Sequence, residues 1–164
     1  MAVTQERQVT MDDYSWRTDA SDVDWDELSE LYRIAPLGNK PPAALKTVFG
    51  NSMFVRFAYA GDVLVAAGRA LADGLDCAYI ADLAVHPGHQ GRGLGKALIN
   101  ELLTAAKDHV KIILYARPST EGFYTGLGFL PMTTAMAVFK YRERALRIGL
   151  VKAPLDQEGL DPED

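Results

Sequence analysis

One cysteine, Cys77, stands in 164 residues. A single thiol excludes an internal disulfide, and such sparing use fits a reducing cytoplasm, the expected compartment. Histidine is nearly as scarce, with three in the chain, and no His, Cys or carboxylate cluster falls at metal-ligand spacing. No metal is therefore expected. No apolar run approaches the ~18 residues that cross a bilayer, and the polar stretch from Met1 to Met11 lacks the apolar core of a secretory leader. Basic residues do not prevail either. Seventeen Lys and Arg against 22 Asp and Glu leave a net charge of −5, which argues against general affinity for nucleic acid and is compatible with a cationic substrate.

What is present is an ordinary globular composition, 48% hydrophobic and 24% charged, at a length that predicts one domain. Residues 1–11 are expected to be loose, 12–150 to form the domain, and 151–164, polar and acidic after Pro154, to be a disordered tail. No internal repeat is visible.

Along the chain, Tyr14–Arg17 reads as a first strand. Ser21 to Asp24 offers helix-cap chemistry, and Trp25, Leu28, Leu31 and Tyr32 recur at helical spacing through residue 34. Pro36, Gly38, Pro41 and Pro42 break that helix, and a second short one is predicted over 42–49. Tyr32, Leu37, Leu45 and Phe49 can be read either as core or as the lining of an apolar acceptor pocket. Residues 53–59 and 63–71 form a hairpin about Gly61-Asp62. Cys77 to Val85 is nearly continuously apolar, as a central strand buried on both faces should be. A helix follows over about 93–108, with Leu94, Leu98, Leu102 and Ala106 in one row. Lys111 to Ala116 is a parallel strand, closing a strand–helix–strand crossover. A short helix capped by Ser119 or Thr120 runs to Leu127. Phe129 and residues 133–140 are expected to supply the last strands, and 141–150 a final helix or strand. The predicted fold is α/β (α+β): a mixed, mostly antiparallel twisted sheet with helices on both faces.

The most informative stretch is Ile80 to Lys96, a strand that passes through a loop with glycines at 88, 91, 93 and 95 into a helix. Unpaired N–H groups at the positive end of a helix dipole bind phosphate. A P-loop is excluded, because Ala97 follows Gly95-Lys96 where a hydroxyl is required. A dinucleotide fingerprint is excluded by the Gly-x-Gly-x-Gly spacing and by Ala116-Arg117 at the close of the next strand. Gln90-Gly91-Arg92-Gly93-Leu94-Gly95 instead resembles the coenzyme A pyrophosphate loop of the GNAT (Gcn5-related N-acetyltransferase) superfamily. Gly122-Phe123-Tyr124-Thr125-Gly126-Leu127-Gly128-Phe129 is similar to that family's Phe/Leu-Tyr-x-x-x-Gly-Phe segment. The resemblance covers roughly residues 50 to 140.

That resemblance implies an acetyl-CoA-dependent N-acetyltransferase whose co-substrate is acetyl-CoA and whose acceptor is a primary amine of a small molecule, attacked directly in a ternary complex. A non-catalytic acyl-CoA-binding module and a protein or peptide N-acetyltransferase are the alternatives. A central parallel pair of strands is expected to splay, so that Leu83, Ala84 and Val85 bond the pantetheine arm. The amides of Gln90, Gly91, Arg92, Gly93, Leu94, Gly95 and Lys96 are expected to meet the pyrophosphate, with Arg92 and Lys96 read either as phosphate partners or as solvated surface. Phe123 and Arg117 complete the expected cofactor residues; Arg117 stands where many family members carry Asn. Tyr124 is expected to be the general acid that protonates the departing thiolate, the other reading being a core tyrosine. The base is open. Counting back from Gln90 places Tyr79 and Ala81 toward the cleft, Tyr79 able to act only through water. Asp82 is the nearest carboxylate, turned to the other face unless a bulge restores it. His86 and His89 are read as surface or capping residues. A homodimer is compatible with the family, and the apolar candidates of the first helices point toward an arylalkylamine acceptor.

Overall fold

The computed structural model describes residues 11–153. The ends expected to be loose lie outside them, apart from Met11 and residues 151–153. The chain forms two compact units, one reaching to Leu114 and one from Tyr115 onward.

In the first unit a five-stranded sheet runs in the order β1 (Tyr14–Arg17), β2 (Phe54–Ala60), β3 (Val63–Ala72), β4 (Cys77–Val85) and β5 (Lys111–Ile113). Every neighbouring pair is antiparallel except β4 and β5. The alternation of side chains along a strand feeds two cores. Val55, Phe57, Tyr59 and Leu64 pack with Leu28, Leu31 and Tyr32 of α1 (Trp25–Ile34) and with Leu45 and Phe49 of α2 (Pro42–Gly50). Ala58, Val65 and Ala66 pack with Tyr14 and with Leu94 and Leu98 of α3 (Leu94–Ala105). The elements start where their chemistry dictates. The Asp24 carboxylate accepts from the N–H groups of Asp26 and Glu27 at 2.9 and 3.1 Å, an N-cap, and α2 opens on a proline whose missing N–H costs nothing there. Glu27 also reaches across to accept from the amide of Leu64 at 2.8 Å, tying α1 to the start of β3.

Three expectations change. The helix expected to reach 108 ends at Ala105, where the His109 ring, through Nδ1, donates to the carbonyl of Ala106 at 2.9 Å. Strand β5 stops at Ile113 rather than Ala116 because its partner β4 pairs with it only from Cys77 to Tyr79. The second unit holds α4 (Glu121–Thr125) and α5 (Arg142–Arg147), and no strand among its described residues. Residues 133–140 have the composition of a strand, yet Met136 and Val138 are fully exposed. A strand exists only as one half of a pair, and no ladder pairs this segment among the described residues.

Candidate active site

Strand β4 ends with the amide of His86 donating to the carbonyl of Val65 at 2.8 Å. The His86 ring then accepts from the amide of Gly88 at 3.0 Å, capping the single 3-10 turn Pro87–His89. The Gln90 side-chain amide reaches back to donate to the carbonyl of Val85 at 3.0 Å. Gly91 and Gly93 follow with φ of +72° and +83°, a region open to glycine at no steric cost. A Cβ built on either would meet nothing within 4 Å, so these glycines serve backbone shape and close approach, not packing. The first amide of α3 to find a partner is that of Ala97, which donates to the carbonyl of Gly93 at 2.9 Å. The amides of Leu94, Gly95 and Lys96 therefore stand at the helix N-terminus without an intrahelical acceptor. Arg92 and Lys96 are exposed beside them. Leu94 is 1% exposed in the core under β1–β3. Only its amide, not its side chain, can serve a ligand, as its place in the Leu94–Leu98–Leu102 row implies. His89 lies 2.9 Å from the Tyr14 hydroxyl, and burial, with His86 and Arg92 adding like charge, holds its pKa below the usual imidazole value.

Strand β4 keeps its ladder to β3 as far as Val85 but leaves β5 after Tyr79. The edge of Leu83, Ala84 and Val85 that would face β5 is thus unpaired by any strand. A free edge takes an extended ligand as it would take another strand. Edge, left-handed glycines and free amides succeed one another from Leu83 to Lys96 and suit an extended arm ending in a diphosphate.

The same stretch carries a bulge. Between the pairs Ala67–Ala84 and Arg69–Ala81, one residue of β3, Gly68, opposes two of β4, Asp82 and Leu83. A Cβ on Gly68 would fall 2.8 Å from the Leu83 side chain, so any larger residue there would force Leu83 to shift. Asp82 adopts φ +54°, one of two non-glycine residues with positive φ among those described. The bulge does turn Asp82, but into an ion cluster. Its carboxylate accepts from Lys40 Nζ at 2.5 Å and from Arg69 Nε at 2.6 Å, and its carbonyl accepts from the buried Tyr32 hydroxyl. Arg69 also approaches Ser52 Oγ at 3.3 Å. Burial pushes the Asp82 carboxyl up, but the bonds from Lys40 and Arg69 outweigh it and leave the group below the ordinary carboxylate range. A carboxylate so held is a poor proton acceptor at neutral pH. Tyr79, the other base candidate, pairs with Leu71 on one side and Ile113 on the other. The sequence reading missed Lys40 and Arg69. Arg69 carried a signal, as the one charge in the apolar run from Val63 to Leu71.

Tyr32, Leu45 and Phe49 are at most 1% exposed and belong to the core. Of the four residues considered for an apolar acceptor pocket, Leu37 alone is partly exposed.

Arg117, Phe123 and Tyr124 lie in the second unit. Tyr124 sits on α4, its ring edge-on to Phe123 and Phe129 at 5.2 and 6.0 Å. Burial raises its phenol above the usual value, so the hydroxyl keeps its proton at neutral pH. Thr120 is the N-cap residue of α4 but gives no side-chain cap; its hydroxyl donates to the carbonyl of Arg117 at 2.7 Å.

Comparison with known proteins agrees with this arrangement. The family model of the acetyltransferase (GNAT) family matches residues 18–129. An uncharacterized ycf52-like N-acetyltransferase of Prochlorococcus marinus is 30% identical over 63% of this chain and 61% of its own length. The chloroplastic serotonin N-acetyltransferase 2 of Oryza sativa subsp. japonica is 39% identical over 49% of this chain and 42% of its own. The matched segments thus span less than two thirds of either relative. In structure, a GNAT family acetyltransferase of Streptococcus pneumoniae superposes with a TM-score of 0.66 at 23% identity, over 77% of this chain and 98% of that one, a likeness of fold. With a family model covering more than half its length, this chain belongs to the GNAT acetyltransferase family.

Proposed function

We propose that the protein transfers the acetyl group of acetyl-CoA to the primary amine of a small molecule, directly and without an acyl-enzyme. The observation that carries this reading is the run from the unpaired edge of β4, through left-handed Gly91 and Gly93, to the free amides of Leu94, Gly95 and Lys96. Leu83 to Val85 would hold the pantetheine arm and the amides of residues 91–96 the diphosphate, with Arg92 and Lys96 adding charge and Arg117 and Phe123 further contacts. The coenzyme supplies an activated thioester. The amine nitrogen bonds to the acetyl carbon, the carbon–sulfur bond breaks, the amine loses a proton and the thiolate gains one. Tyr124 is the proton donor in this scheme, a role that rests on its motif and on a phenol kept protonated by burial. The amine's proton leaves through water near Tyr79.

An arylalkylamine is the favoured acceptor. The support is the rice relative whose name specifies serotonin, since Tyr32, Leu45 and Phe49 are core and only Leu37 is partly exposed. A screen of thiol release across arylalkylamines, polyamines, amino sugars and peptides tests the assignment. Turnover with arylalkylamines above the rest is expected. A peptide preference would move the substrate class to proteins. Tight coenzyme binding with no turnover on any amine would favour a coenzyme-sensing module, a reading that the engagement of Asp82 by two cations already lends some weight.

A further inference from the structure

We propose that Asp82 is a positioning residue, not the base: with Lys40, Arg69 and Tyr32 it clamps the β4 bulge in the shape that presents residues 83–85 to the coenzyme. This rests on the coenzyme reading above and adds to it the device that keeps the edge in register.

Each part of the clamp comes from a different element. Tyr32 belongs to α1, Lys40 to the link between α1 and α2, Arg69 to β3 and Asp82 to β4. The first three converge on Asp82, the one residue of β4 whose backbone is left-handed. That residue follows the end of the β5 ladder by three positions and precedes the free edge directly. A left-handed aspartate is disfavoured in isolation, and here both ends of it are held: the side chain by two cations at 2.5 and 2.6 Å and the carbonyl by a phenol. Gly68 opposite leaves out a Cβ that would crowd the Leu83 side chain at 2.8 Å. Lys40 additionally lies 5.3 Å from the centroid of the Tyr32 ring, so the α1–α2 link is tied to the same point. Were the bulge to relax in the free protein, ligand binding would have to restore it, and the cost would appear as lost coenzyme affinity.

Three substitutions separate shape from acid–base chemistry. Asp82→Asn tolerates the left-handed backbone and keeps one acceptor oxygen, enough for one of the two cations. Asp82→Gly keeps the backbone freedom but releases the clamp. Asp82→Ala loses both. Acetyl-CoA affinity measured by calorimetry should stay within about threefold of wild type for Asn, and fall further for Gly. For Ala it should fall about fivefold or more below Gly, the scale of forcing a Cβ into a left-handed conformation. The pH profile of kcat/KM should keep its shape in Asn and Gly. Lys40→Met should weaken coenzyme binding and Lys40→Arg restore it. If the Ala variant does not fold, the Asn–Gly difference and the Lys40 pair carry the same comparison. Equal coenzyme affinity in all variants would overturn the proposal. So would an Asn variant that binds normally but has lost turnover together with the acidic limb of its profile, since that marks a base. Failure of the wild type to bind acetyl-CoA would instead strike the coenzyme reading itself, and the proposal with it.

Discussion

Single residues here do work that their neighbours in sequence do not announce. Tyr124 is the sharpest case. Its ring is packed against two phenylalanines, and Phe in its place would preserve that packing and delete one proton. If the phenol protonates the leaving thiolate, Tyr124→Phe should lower kcat by at least tenfold, since general-acid help is typically worth ~10²–10⁴-fold. Coenzyme affinity and Tm should hardly move. A Phe variant with wild-type turnover would reduce Tyr124 to a packing residue and leave water as the acid. Asp82 teaches the opposite lesson. Alternation along a strand predicts which face a residue takes only while the ladder is regular, and one extra residue in β4 cancels it. Nothing in the letters Ile80-Ala81-Asp82-Leu83 announces a left-handed aspartate. The partner that makes it tolerable, Lys40, is 42 positions away.

At the scale of elements, what repeats is legible and what must be paired is less so. The stripe of Leu28, Leu31 and Tyr32 and the row of Leu94, Leu98 and Leu102 specify α1 and α3, and β1 to β4 stand within a residue or so of their expected bounds. The glycine turn that opens α3 was legible too, because glycine spacing and helix start are local chemistry. The two failures among the strands share one cause. Residues 114–116 and 133–140 have strand composition, but a strand also needs a partner, and that is a property of the rest of the chain. The loop itself allows a direct test. Valine at Gly93 would add strain as well as bulk, since φ is +83°; asparagine tolerates that backbone better. Gly93→Asn should therefore leave a folded protein, by circular dichroism, whose acetyl-CoA affinity is at least tenfold weaker. Unchanged affinity would mean that the diphosphate does not approach this turn.

For the molecule as a whole, stability rests on the core between the sheet and α1–α2. Phe49 is 1% exposed, stacks on Phe57 at 5.3 Å and meets Trp25 and Tyr32 edge-on. Phe49→Ala should cost about 3–5 kcal/mol in denaturant unfolding, whereas a residue lining an acceptor pocket would change the amine KM first and stability little. Acid adds a second term. The folded pKa of Asp82 is depressed, so its contribution is complete above the unfolded value of about 3.9 and is lost as pH falls through the folded one. Asp82→Asn should flatten that lowest stretch of the stability–pH curve and leave the rest alone; an identical acid limb in the variant would remove Asp82 from the account. The early parting of β4 from β5 has one more consequence, which concerns length. Beyond Tyr79, six residues of β4, from Ile80 to Val85, run on without β5. At ~3.3 Å per residue they make an edge roughly 20 Å long, and the free amides of α3 follow it in the chain. On the coenzyme reading proposed above, that edge would act as a ruler: a donor with a short thiol could occupy the edge or reach the amides but not both. The first unit would then grade donors by the length of the arm, and leave the acyl group to be judged elsewhere.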